Sequence, residues 1–194
     1  MEGQSTSMPK PVLLIITGAP ASGKTTLGRR LAVDLCLPFI GKDDIKETLF
    51  DSLGWKDRDW SRQLGLATYQ LLYYFVETEL RAGRSLVVES NFRPEYDAAK
   101  FLKLHQQYDF EPVQIFCRAA DQVLHERVRR RALSGERHPG HVDHVLYEEM
   151  QSVPVQAGYD PLPIGGAVIT VDTTELAGVD YGAILQEIRS FTGL

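Results

Sequence analysis

The sequence predicts an α/β fold, a mostly parallel sheet covered by helices on both faces. Three observations carry that prediction. Five short β-rich runs alternate with longer stretches of helical periodicity, the first run leads directly into a glycine-rich loop, and no Pro-, Gly- or Ser-rich linker divides the 194 residues into two cores.

The runs are "VLLIIT" (12–17), "PFIG" (38–41), "SLVVES" (85–90), "PVQIFC" (112–117) and "AVITVD" (167–172). After the first, "KTTLGRRLAVDL" reads as an amphipathic helix. The longest helical stretch, residues 60–83, places Leu64, Ala67, Leu71, Phe75 and Leu80 at helical spacing, with Gly83 as terminator. Its aromatics read as core, although Tyr73, Tyr74 and Phe75 also suit an interface. Residues 127–144 carry five arginines and three histidines broken by Gly135 and Pro139-Gly140, which predicts a solvated, mobile flap.

A formal charge of −5 excludes a general field that would hold a polyanion. Cys36 and Cys117 form neither a paired-thiol motif nor a metal cluster, which suits a reduced, cytoplasmic setting. Residues 1–11 lack the basic start and apolar run of a signal peptide and read as a disordered leader, with one domain over 12–194; no stretch reaches the roughly 18 apolar residues of a membrane span.

Gly18-Ala-Pro-Ala-Ser-Gly23-Lys24-Thr25 has the spacing of a phosphate-cradling loop in the required context, strand before and helix after. Gly18 and Gly23 permit backbone angles that turn successive N–H groups, including those of Ala21, Ser22 and Thr26, toward phosphates. Lys24 reaches the β and γ phosphates and the Thr25 hydroxyl is placed for Mg²⁺, so ATP with Mg²⁺ is the expected ligand.

In "GKDDIKETLF" the adjacent Asp43 and Asp44 begin a helix just beyond the second strand, where ligand crevices form in open α/β sheets. Catalysis, by accepting the proton of an attacking hydroxyl, and helix capping are both open to them. In "VVESNFRPEY", Glu89 suits the water shell of Mg²⁺, and Asn91 and Arg93 suit orienting an acceptor; a polar turn with Pro94 opening a helix reads equally well. Arg127 and Arg131 share a helical face, with Leu124 and Val128 turned to the core, and can stabilise the charge of phosphoryl transfer. Arg137 and His138 lie in a loop suited to acceptor contact. His138, His141 and His144 recur every third residue, but a zinc site there would need a fourth ligand.

Together, "GAPASGKTT", "GKDDIKETLF", "VVESNFR" and "HERVRRR" resemble the small P-loop kinases, the group that includes polynucleotide 5′-kinases, zeta-type toxins and chloramphenicol phosphotransferase. The resemblance implies a P-loop NTPase fold: a three-layer sandwich with a five-stranded parallel sheet ordered 2-3-1-4-5 and a mobile helical lid, about 127–144. It makes Asp43 the general base and Lys46 an acceptor-side basic residue, a lysine where phage polynucleotide kinase has arginine. It also makes Arg127 the arginine over the adenine, Arg131 the one that reaches the transferring phosphate, and "VDTTELAG", with Asp172 and Thr173, the turn that lines the adenine. The expected activity is transfer of the γ-phosphate of ATP to a hydroxyl of a small molecule. A polynucleotide 5′-hydroxyl kinase, a zeta-like nucleotide-sugar kinase and a nucleotide-gated binding switch are the alternatives; the acidic balance weighs against nucleic acid.

Overall fold

The computed structural model describes residues 10–150 and 154–194. Most of the expected leader and residues 151–153 lie outside the described residues. Of the leader's last two residues, Lys10 pairs with Asp109 at 2.7 Å and the Pro11 carbonyl accepts the Glu111 N–H, so both are tied to the neighbouring loop.

Five strands, β1 (Val12–Gly18), β2 (Phe39–Gly41), β3 (Leu86–Glu89), β4 (Glu111–Arg118) and β5 (Ala167–Asp172), form one parallel sheet in the order β2-β3-β1-β4-β5. The strands match the five apolar runs because a parallel strand is covered on both faces and therefore reads as continuous hydrophobic sequence. Every residue of β1 is buried. Its side chains alternate between two cores. Val12, Leu14 and Ile16 pack with α1 (Lys24–Asp34) and α7 (Tyr181–Thr192), whereas Leu13 and Ile15 pack with α3 (Arg58–Arg81) and α4 (Pro94–Tyr108). The remaining helices are α2 (Lys42–Leu53), α5 (Asp121–Ser134) and α6 (Asp143–Met150).

In α3 the buried stripe is Ser61, Leu64, Thr68, Leu72, Val76 and Leu80, not the expected Leu64, Ala67, Leu71, Phe75 and Leu80. A strict four-residue step after Leu64 selects Thr68, Leu72 and Val76, and turns Phe75 outward to 41% exposure. Tyr74 is exposed as well, while Tyr73 is half-buried and donates to Asp97 at 2.6 Å. Gly83, at φ +69°, follows the helix end as expected.

Parallel connections send β1, β2 and β3 into the next element at the same edge, so the phosphate loop, the start of α2 and the turn before α4 converge. One buried polar group ties the long segment before β5 to this sheet. Gln114 of β4 donates to the Leu162 carbonyl at 2.9 Å and accepts the Leu162 N–H at 2.7 Å. Replacing Gln114 with Leu strands both backbone groups in a dry site, at a cost of roughly 2–4 kcal/mol. Urea denaturation followed by circular dichroism is expected to show a lower midpoint with an unchanged slope.

Candidate active site

The loop between β1 and α1 is shaped by close packing. Gly18 lies at φ +140°, and a Cβ there would come within 2.0 Å of the Cys117 carbonyl oxygen, so only glycine lets the loop pass β4. Gly23 caps α1 in the left-handed region, which leaves the first N–H groups of the helix facing the cleft. Ser22 Oγ is buried and without a hydrogen-bond partner, and the Ser22 carbonyl accepts from Thr173 at 2.8 Å. Lys24 is buried; burial lowers its pKa, opposed chiefly by Glu89, and its Nζ donates to the Ala19 carbonyl at 2.8 Å. Thr25 Oγ1 donates to Glu89 at 3.0 Å, and burial raises the Glu89 pKa against the pull of Lys24. Hydroxyl and carboxylate thus form a set of hard oxygen donors of the kind Mg²⁺ takes, beside a lysine and a row of helix N-terminal amides.

At the end of β2 the two aspartates separate. Asp43 lines a cleft of about 1140 Å³ that also takes in the phosphate loop, while Asp44 turns away to pair with Arg29 of α1. The expected substrate role of Asp44 is therefore not matched by its position. Neither residue caps α2, because Gly41 occupies that place and makes no side-chain bond. Burial works to raise the Asp43 pKa, but Lys42 and then Arg137 outweigh it and hold the carboxyl far below its usual range. Glu89, Asn91 and Arg93 line the same cleft. Arg93 lies over the Tyr159 ring at 5.2 Å and donates to the Gly158 carbonyl at 3.3 Å.

The arginine-rich segment is docked in part: Arg129, Arg130 and residues 133–136 are exposed as expected of a solvated flap, whereas Arg127, Arg131 and Arg137 are half-buried. Arg127 of α5 donates to the Thr173 and Thr174 carbonyls at 2.8 and 3.1 Å and to Ala21 of the phosphate loop at 3.5 Å. Arg137 bridges Asp43 and Asp143, the latter at 2.8 Å, and Arg131 Nε stands 3.5 Å from Asp143. The physical reason for docking is apolar. Phe50 of α2 is buried between His138, stacked at 5.0 Å, and His141, edge-on at 5.4 Å. Gly140 makes this approach possible, since a Cβ there would lie 2.7 Å from the Phe50 ring.

His138 consequently turns from the cleft and faces Asp51 at 3.3 Å, which corrects its expected acceptor contact. His141 meets Glu47 at 2.8 Å, and the described residues hold no cluster suited to a metal. Asp172 and Thr173 do not line the cleft; Asp172 accepts the Thr174 N–H, and Thr173 braces the loop from behind, while Leu176 of the same turn does line it. Gly18 likewise lies behind the loop it shapes. Asp143, Lys42, Arg58 and Tyr159 were missed by sequence reasoning. Lys42 alone carried a signal, four residues before Lys46 and so on the same helical face.

Two outcomes test the docked lid. Asp143→Ala removes the carboxylate shared by Arg131 and Arg137, and hydrogen exchange across residues 135–142 is expected to accelerate at least tenfold while the sheet stays protected. Burial, then Arg137, pushes the His141 pKa down to about 2, so this imidazole stays neutral in the fold while the unfolded chain takes up its proton near pH 6.5. The unfolded state binds more protons between those values, and stability falls as pH drops below about 6.5. Thermal denaturation at a series of pH values is expected to show a shallower acid loss for His141→Gln.

A family model described as an AAA domain matches residues 13–153, and no curated protein matches the chain. Among solved structures, a "putative kinase" from Chloroflexus aurantiacus is 44% identical, with a TM-score of 0.84, over 94% of this chain and 98% of its own. A sugar kinase from Janibacter is 14% identical, with a TM-score of 0.57, over 94% of each chain. The APS kinase of Mycobacterium tuberculosis, in complex with AMPPNP and APS, is 16% identical, with a TM-score of 0.57, over 96% of this chain and 100% of its own. The last two share the fold. With the phosphate loop and the 2-3-1-4-5 sheet already in place, the match over residues 13–153 means that the chain belongs to this AAA-domain family and is a small P-loop kinase by its architecture.

Proposed function

We propose that the protein transfers the γ-phosphate of ATP to a hydroxyl of a small molecule, with Mg²⁺ as cofactor, and that residues 12–194 act as one kinase domain with 127–144 as its lid. The observation that carries this reading is that Lys24, Asp43, Arg127 and Arg131 open onto one cleft. Neighbours named as kinases support it. The loop amides and Lys24 would hold the phosphates, and Arg127, already on the adenine-side carbonyls, would cover the base. Thr25, with Glu89 acting through water, would hold Mg²⁺, which when bound neutralises phosphate charge.

Asp43 would orient the acceptor hydroxyl and take its proton as the oxygen attacks phosphorus. For that, its carboxylate has to be released from Arg137. The lid then also serves the transfer itself, because Arg131 and the freed Arg137 can face the charge that spreads over the transferring phosphoryl oxygens. The cleft of about 1140 Å³, with Val155 and Tyr159 in its lining, has room for a nucleotide beside a small acceptor.

The test follows label from γ-labelled ATP into a metabolite extract and, separately, into a 5′-hydroxyl oligonucleotide. Asp43→Asn is expected to lower transfer to a small organic product by roughly 10²–10⁴-fold with nucleotide binding retained, and Lys24→Ala to weaken nucleotide binding itself. Label on the oligonucleotide would establish a polynucleotide kinase instead, and release only as free phosphate at the same rate in Asp43→Asn would establish a nucleotide-gated switch.

A further inference from the structure

A second cavity, of about 610 Å³, opens between the lid and the loop that joins α2 to α3. Residues 55–58 form one wall, and the end of α5, residues 137–139 and the start of α6 form the other. Arg58, Arg131 and Arg137 line both this cavity and the active-site cleft, so the arginines proposed for phosphoryl transfer face two spaces. The volume lies within the roughly 300–1,000 Å³ of small-molecule sites. The transfer reaction makes no use of it.

The lining has two characters. Trp55, Pro139, Val142 and Val145 are apolar, while Lys56, Arg58, Arg131 and Arg137 set four positive charges against the two carboxylates Asp57 and Asp143. Both carboxylates are engaged: Asp57 caps α3 by accepting the Trp60 N–H at 2.9 Å, and Asp143 accepts from Arg137 at 2.8 Å. Trp55 stays 49% exposed although the loop around it is tied down, with Trp60 Nε1 donating to the Gly54 carbonyl at 2.8 Å. Arg131 Nε is buried and makes no hydrogen bond. Val142, on the lid wall, is buried at φ +49°, a left-handed conformation that a β-branched residue adopts only under strain. Strain of that kind collects at ligand clamps and switch segments.

We infer that this cavity is a regulatory site for a small aromatic carboxylate, whose ring lies against Trp55 and Val142 and whose carboxylate meets Arg58 and Arg131, and that its occupant holds the lid docked. The ligand class follows from the lining, since an apolar wall with an aromatic edge takes a flat ring and the excess of guanidinium charge takes an anion. The direction of the effect follows from the walls. One of them is the lid itself, so the cavity keeps this shape only while residues 137–145 are docked, and an occupant binds that state better than one in which the lid has moved. In the docked state Arg137 holds Asp43, the arrangement that transfer has to undo. Acid and nucleotide therefore oppose each other, and the coupling is reciprocal. Binding of the acid is independent of the kinase reading, whereas its effect on transfer rests on that reading.

The experiment titrates the full chain by calorimetry with 1-naphthaleneacetate, the neutral 1-naphthaleneacetamide or acetate, each alone and in the presence of a non-hydrolysable ATP analogue. The naphthalene acid is expected to bind about tenfold more tightly than either control, because only it offers ring and charge together. Trp55→Ala and Val145→Glu, neither of them in the cleft, are expected to weaken the acid roughly tenfold and to leave the analogue's affinity without acid unchanged. Saturating acid is expected to raise the analogue's dissociation constant about fivefold or more to a plateau, and saturating analogue to raise that of the acid by the same factor. An amide that binds as well as the acid, or a pair of variants that bind the acid as the wild type does, overturns the site. A rise without a plateau means direct competition inside the cleft and overturns it too, and independent binding of acid and analogue overturns the regulation. If the acid binds with this antagonism while no acceptor takes label from γ-labelled ATP, the site stands and the kinase reading falls. If label is transferred and the acid does not bind, the site falls alone.

Discussion

Complete burial of β1 is the constraint on which the rest of the structure depends. Seven successive buried residues leave no solvent face, so the strand needs a partner on each edge and a helical layer on each side. β3 and β4 supply the edges and α1, α3, α4 and α7 the layers. The central strand then ends at Gly18 with the loops after β2 and β3 beside it, which gathers the phosphate-binding amides, Asp43 and Glu89 at one edge of the sheet. Gly18 is the residue that permits this arrangement, because passing the Cys117 carbonyl leaves no room for a side chain. Core and site are joined at that contact.

Charge is handled differently on the two sides of the cleft. On the lid side, Arg127 is held by three carbonyls and Arg137 by two carboxylates, while the buried Arg131 Nε stands 3.5 Å from Asp143 without a hydrogen bond. On the α2 side, Lys46 is buried with one neutral partner. Removing charges from water is costly unless they are paired, so a satisfied group favours the state in which it is seen, whereas an unsatisfied one favours a state with something added.

What could be read from the sequence and what could not divide along the range of the interactions. The strands and the phosphate loop are legible because a buried parallel strand and a strand-loop-helix junction are encoded in adjacent residues. The α3 stripe misled because Leu71 and Phe75 are apolar yet lie beside the strict four-residue row of Thr68, Leu72 and Val76, and only packing against the sheet selects between the rows. The separation of Asp43 from Asp44 depends on Arg29, which local spacing does not connect to either. The docked part of the lid looked solvated because its charges were counted without their partners: Asp43 and Phe50 lie far away in the chain, and Asp143 reads by itself as one more acid at a helix start.

The Arg137–Asp43 pair sets the two halves of the site in competition. Asp43 pairs with Arg137 in the docked lid, and in the proposed reaction it would be drawn instead to the proton of a hydroxyl, so that it would serve one of them at a time. Its depressed pKa expresses that competition, since Lys42 and Arg137 stabilise the carboxylate as an ion and make it a weaker base while they remain. An incoming triphosphate offers Arg137 a stronger anionic partner than a single carboxylate. Transfer of the arginine from aspartate to phosphate would raise the basicity of Asp43 and place a cation on the transferring group in one movement, so that the acid becomes an effective base only when a donor phosphate is present to be used.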